Sequence, residues 1–184
     1  MAQSQTYIKS SIRKEVRDGE MVVRGPVARD SALLVKLEAY AHLQAEISFV
    51  SVDSAEFIQL LLPDGVLGLA PHVSREAGNF VRDLKEEGLI SSAVFSLYLS
   101  DFETSNFATF GGYNGEVVAE ARRSGMTSSS SDDGVFWMEN TSNDYWQVKN
   151  FGCDFGGTAL ALSSENVILD SGSAWCYLPT AEYR

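Results

Sequence analysis

The sequence is poor in the residues that build metal centres and disulfide frameworks: two cysteines and two histidines among 184 residues. Cys153 and Cys176 allow one disulfide or none, and sequence spacing does not decide between them. His42 and His72 stand apart, without the Cys/His spacing of a zinc site, so no metal and no cofactor is implied. Basic charge is also scarce. With 14 Lys and Arg against 25 Asp and Glu the net charge is −11, which disfavours attraction to nucleic acid phosphates. No apolar run reaches the roughly 18 residues of a bilayer-spanning helix. The first residues, Met-Ala-Gln-Ser-Gln-Thr-Tyr, lack the apolar stretch of a secretory leader. Either the protein stays within the cell or its N-terminus lies further upstream.

What is present is an ordinary globular balance, 45% hydrophobic and 21% charged, enough apolar mass for one large domain or two small ones. Runs rich in Val, Ser, Thr and Phe, broken by Gly and Asp, favour strands over long helices, so an all-β fold is predicted. Charge is uneven. Residues 1–36 hold seven basic and four acidic groups, and residues 37–184 hold seven basic and 21 acidic ones. An acidic remainder is compatible with a protein working at low pH, where protonated carboxylates relieve the repulsion, and acidic charge is equally commonplace in soluble proteins at large.

Residues 11–36 read as a β-hairpin turning at Asp18-Gly19, with Pro26 marking a bent or edge arm. Residues 47–52 alternate as a half-buried strand does, and residues 58–62 form a second run closed by Pro63-Asp64-Gly65. One helix is predicted over residues 76–87: Phe80, Val81 and Leu84 share a face, and Gly88 supplies the stop. Short strands follow at residues 94–99, 107–110, 116–121, 135–138 and 145–148. Residues 127–133 form a Ser-rich acidic loop, and Asn140-Thr-Ser142 fits a glycosylation acceptor if the chain is secreted.

The segment Val167-Ile-Leu-Asp-Ser-Gly-Ser173 carries the chemistry. Three apolar residues predict a strand driven into the interior, ending at a desolvated Asp170; Gly172 permits a tight turn, and hydroxyls follow at Ser171 and Ser173. Before it come Asp64-Gly-Val-Leu-Gly-Leu69, Val94-Phe-Ser-Leu-Tyr-Leu99, Phe110-Gly-Gly112 and Tyr145-Trp-Gln-Val148. This ordered series resembles the middle of a pepsin-like aspartic protease, over roughly residues 12–183.

The resemblance implies a pepsin-type fold, with residues 1–98 the later part of a first lobe and residues 99–184 the start of a second. It also implies an aspartic endopeptidase acting on polypeptides, secretory, vacuolar or extracellular if the full-length protein follows the family. Asp170 then corresponds to the catalytic aspartate of the second lobe. Ser171 interlocks the active-site loops, Ser173 bonds the outer carboxylate oxygen, and Val66, Leu67 and Gly68 brace the first catalytic loop. That first loop has no match here, and the strand that would brace Asp170 would lie beyond Arg184. The expectation is therefore an internal piece with one of two aspartates, inactive by itself and needing the missing first-lobe segment. The flap hairpin departs as well: Gly19 is preceded by Asp18 where the family has Tyr. A non-catalytic pepsin-like module that binds peptides is the second reading.

Overall fold

The structure, a computed structural model, describes residues 4–18, 21–35, 42–56, 65–71, 78–100, 106–123, 135–180 and 182. It divides into two compact units, Met1–Leu69 with Ser74–Glu120, and Ala70–Val73 with Ala121–Arg184. Among the described residues strands predominate, with two short helices.

The first unit is built on the long strand β2, Met21–Val35. Strand β1, Ile8–Asp18, pairs along one edge of it. Along the other edge lie β3, His42–Val50, and β4, Ser54–Glu56. Asp18 faces Met21 in the register. It therefore ends the first arm of the predicted hairpin, and the connection passes through residues 19 and 20, which lie outside the described residues. Of the two expectations for Pro26, a bent arm or an edge, the edge does not hold. Pro26 is buried in the central strand, at the point where β2 exchanges β3 for β4 as its neighbour. Proline has no N–H to give a ladder, and the irregularities gather around it: β1 slips register between Lys9 and Arg13, and Ser51 N–H donates to Pro26 O at 2.9 Å. The approach is close enough that a Cβ on Gly25 would stand 2.0 Å from Ser51 O.

Helix α1, Phe80–Glu86, lies against β3. Phe80, Val81 and Leu84 are its buried face, as the spacing predicts, and they form a cluster with Ala45 of β3. Ile47, Leu69, Leu89, Ile90, Phe95 and Phe110 pack around that cluster. The helix starts at Phe80 rather than at residue 76. Gly78, at φ 74°, and extended Asn79 precede it, and Asn79 caps it by accepting from Arg82 N–H at 3.0 Å. Gly88, at φ 72°, ends it, with Leu89 N–H returning to Leu84 O at 3.0 Å. Asp83 ties helix to sheet, its Oδ2 accepting from Ser48 N–H at 3.1 Å. The hairpin of β5, Phe95–Tyr98, and β6, Phe107–Phe110, closes the unit. Its Phe110 ring meets Phe80 edge-on at 5.1 Å.

Residues 116–121 are not the predicted strand. They lie in helix α2, Gly115–Arg123. Val117 and Val118 suggested β structure, but Asn114 Oδ1 caps the N-terminus by accepting from Glu116 N–H at 2.9 Å. Glu116 in the first turn and Arg122 and Arg123 in the last suit the helix dipole, and the alanines between them favour helix.

The described residues of the second unit form two small ladders. Strand β7, Gln147–Lys149, pairs with β10, Asn166–Ile168. Strands β8, Cys153–Phe155, and β9, Thr158–Leu160, form a hairpin across Gly156 and Gly157, both at positive φ. The predicted strand at residues 145–148 begins two residues later than expected. Residues 135–138 form none, since apolar composition does not make a strand without a paired neighbour. Both cysteines are free thiols. The predictions at residues 58–64 and 127–133 lie outside the described residues. Among the described residues no helix is long and apolar enough to cross a membrane.

Candidate active site

Asp170 follows β10 directly. Val167 lies opposite Val148 and Ile168 opposite Gln147. Leu169 N–H extends the ladder by one bond, to Trp146 O at 2.8 Å. There the pairing stops and the chain turns back on the aspartate. Gly172 N–H donates to Asp170 Oδ1 at 2.9 Å, and Ser173 N–H reaches Asp170 O at 3.4 Å. A Cβ at position 172 would come within 3.3 Å of that carboxylate oxygen, so glycine keeps the turn open for it. One carboxylate oxygen is thus fixed by a backbone donor while the group as a whole faces solvent.

Two sequence-based expectations are corrected here. The apolar run before Asp170 does not enter an interior: Val167, Ile168 and Leu169 are 38%, 51% and 59% exposed, and Asp170 is exposed rather than desolvated. The physical reason is that, among the described residues, β10 pairs with one strand and no residue of this unit is buried, so these residues form no core for the strand to enter. Ser173 Oγ donates to Trp175 O at 3.1 Å instead of to the Asp170 carboxylate. Ser171 is exposed in the turn.

Val66, Leu67 and Gly68 belong to the other unit, in a segment outside any helix or strand, with Val66 and Leu67 exposed and Leu69 reaching the α1 cluster. Asp18 ends β1. Gly19 lies outside the described residues.

The ladder that carries Asp170 is anchored at its far end by residues that sequence reasoning missed. Asn150 N–H donates to Glu165 O at 2.8 Å, and its Nδ2 donates to Ser164 O at 2.9 Å. Asn150 Oδ1 also accepts from Gly152 N–H, an Asx turn that the Asn-Phe-Gly pattern hinted at. The Glu182 carboxylate accepts from Ser163 N–H at 2.5 Å, from Ser164 N–H and from the Ser163 hydroxyl. These donors, the hydroxyl foremost, hold Glu182 below the ordinary carboxylate value of 4.5. No local pattern announced Glu182.

The family of eukaryotic aspartyl proteases matches the chain over residues 1–184. The chain belongs to that family. Pepsin-2B of Gadus morhua is 25% identical over 181 residues, covering 97% of this chain and 51% of its own length. A probable vacuolar protease A of Arthroderma benhamiae is 26% identical over 186 residues, 96% of this chain and 42% of its own. Gastricsin of Macaca fuscata fuscata is 32% identical over 120 residues, 63% of this chain and 29% of its own. The strand-rich architecture agrees with the all-β, pepsin-like fold of this family. The chain spans about half the length of Pepsin-2B, and less of the other two.

Proposed function

We propose that this chain is part of an aspartic-type endopeptidase and contributes one of its two catalytic carboxylates, Asp170. The observation that carries the reading is the presentation of Asp170: a solvent-facing carboxylate at the end of a ladder, oriented by Gly172 N–H, in the Asp-Ser-Gly-Ser of an aspartyl protease relative. On this reading residues 1–98 supply the later part of the first lobe and residues 99–184 the start of the second, with the β5–β6 hairpin near the junction. Val66, Leu67 and Gly68 brace a first catalytic loop whose aspartate is not encoded within residues 1–184.

Two carboxylates about 3 Å apart cannot both ionise, so they share one proton. The ionised member takes a proton from a bound water, the water oxygen attacks the peptide carbonyl, and the protonated member gives its proton to the carbonyl oxygen. Collapse of that intermediate breaks the C–N bond as the carboxyl that took the water proton gives it to the leaving nitrogen and the other carboxylate takes a proton from a hydroxyl, which releases the amine and resets the pair. Asp170 alone cannot be base and acid at once, so residues 1–184 by themselves neither cleave peptides nor bind a statine-type transition-state mimic tightly.

The test is to read the complete coding sequence around residues 1–184 for a second Asp-Thr-Gly or Asp-Ser-Gly, and to assay its product on denatured protein at acid pH. Asp170→Asn should lower kcat at least about a thousandfold. Full activity in that variant would end the proposal. A second reading, a peptide-binding module without catalysis, is favoured by Asp18 at the end of the flap-like hairpin. Peptide binding without cleavage by the complete product would select it.

A further inference from the structure

The sequence pattern Asn140-Thr-Ser142 marks a glycan acceptor, but the structure gives these residues other work, next to the strand that carries Asp170. Asn140 is half-buried and both ends of its carboxamide are engaged. Oδ1 accepts from Gln147 N–H at 2.8 Å, and Nδ2 donates to Ser142 O at 2.7 Å. Thr141 N–H donates to Gln147 O at 2.8 Å, so both backbone groups of Gln147 are taken by this one loop. The Thr141 hydroxyl accepts from Gln147 Nε2 at 3.0 Å and lies 3.5 Å from Asn166 Oδ1, touching both strands of the ladder. Ser142 Oγ accepts from Asp144 N–H and Tyr145 N–H, folding the loop back towards Trp146.

Gln147 lies opposite Ile168, and Trp146 O is the acceptor for Leu169 N–H, the last ladder bond before Asp170. We infer that Asn140 is a positioning residue for Asp170: with Thr141 it clamps Gln147, which fixes Trp146 O, which fixes Leu169 and the turn that aims the carboxylate. Asn150 and Glu182 grip the opposite end of the same ladder. The end near the aspartate therefore depends on the Asn140 loop. The inference rests on the role proposed for Asp170 but is tested without it.

The test is amide hydrogen exchange, read by mass spectrometry, on the product of the complete coding sequence, made in a bacterial host so that Asn140 carries no glycan. In Asn140→Ala the peptide covering Leu169 to Ser173 should exchange about tenfold faster, because removing the Gln147 acceptor weakens the bond behind Leu169. Peptides covering β8–β9 and α1 should be unchanged. Asn140→Asp keeps the Oδ1 acceptor and should restore protection to within about threefold of the parent. If Asn140→Ala fails to fold, Thr141→Val, which removes the hydroxyl contacts alone, should show the same local acceleration. Unchanged exchange at Leu169, or equal acceleration throughout the second unit, would overturn the inference. In a product that cleaves peptides, Asn140→Ala should lower kcat with KM little changed, and Asn140→Asp should recover it. Exchange needs no turnover, so failure of the protease reading is separable from failure of this one.

Discussion

Leu84→Ala tests whether the fold of the first unit rests on the seam between α1 and β3. Leu84 is 2% exposed and sits among Ala45, Phe80 and Val81, the whole of the buried cluster among the described residues. The substitution removes three carbon atoms, worth about 2.4 kcal/mol in transfer at about 0.8 kcal/mol each. The void adds to this unless its lining collapses, and Leu→Ala changes at comparable sites cost roughly 2.7–5.0 kcal/mol. Alanine recovers only a few tenths of a kcal/mol in helix propensity, because leucine is already a good helix former. The net expectation is a loss of about 3 kcal/mol, a large part of the roughly 5–15 kcal/mol that holds a domain together. Urea unfolding followed by far-ultraviolet circular dichroism measures it, with Leu99→Ala, at a position 71% exposed, as the control that should change stability by less than about 0.5 kcal/mol. A Leu84→Ala loss below about 1 kcal/mol with an unchanged urea slope would show that the seam is loose and that the unit is held elsewhere.

Gly25→Ala should destabilise by about 1–3 kcal/mol, because the added Cβ would stand 2.0 Å from the backbone oxygen of Ser51, whereas Gly112→Ala, with nothing within 4 Å, should be tolerated; equal thermal midpoints for the two would refute the close crossing. Acid should weaken the first unit by a definite route. Glu15, bonded to Arg24 and Arg17, and Asp53, bonded to Arg13, both lie below their ordinary values of 4.5 and 3.8. A carboxylate depressed in the folded state contributes stability above its unfolded value and loses it as pH falls through the lower folded one. Stability should therefore be level above about pH 5 and decline below the ordinary carboxylate values, and Glu15→Gln should flatten part of that decline; an identical pH profile in the variant would refute the assignment.

Much of the first unit was legible because its signals are local and agree. The face of Phe80, Val81 and Leu84 and the stop at Gly88 both appear as read, and the strand at residues 107–110 has the expected bounds. Where local signals compete, the outcome depends on which is stronger. Val117 and Val118 are β-branched, but the Asn114 cap and the charges at the two ends of α2 outweigh them. Pro26 marks a bent or edge arm in the sequence, and the edge alternative fails because sequence does not show that a central strand can exchange neighbours at one point, leaving a proline where no ladder bond is required.

The site divides along the same line. The turn at Gly172, which holds one oxygen of Asp170, is readable, since it depends on residues two apart. The exposure of Asp170 is not, because burial of Val167, Ile168 and Leu169 depends on what packs over a strand rather than on the strand itself, and among the described residues β10 pairs with β7 alone. Asn150 and Glu182 grip backbone 14 to 19 positions away, and Asn140 holds backbone seven positions away, all beyond the spacing of one helical turn or a strand repeat. Polar side chains that bond to distant backbone leave no periodic trace, and a short pattern such as Asn-Thr-Ser can carry two meanings. Only the bonds made by the carboxamide choose between them. A carboxamide held at both ends supports a loop first, and any glycan attached there would have to leave the Gln147 bond in place for Asp170 to keep its aim.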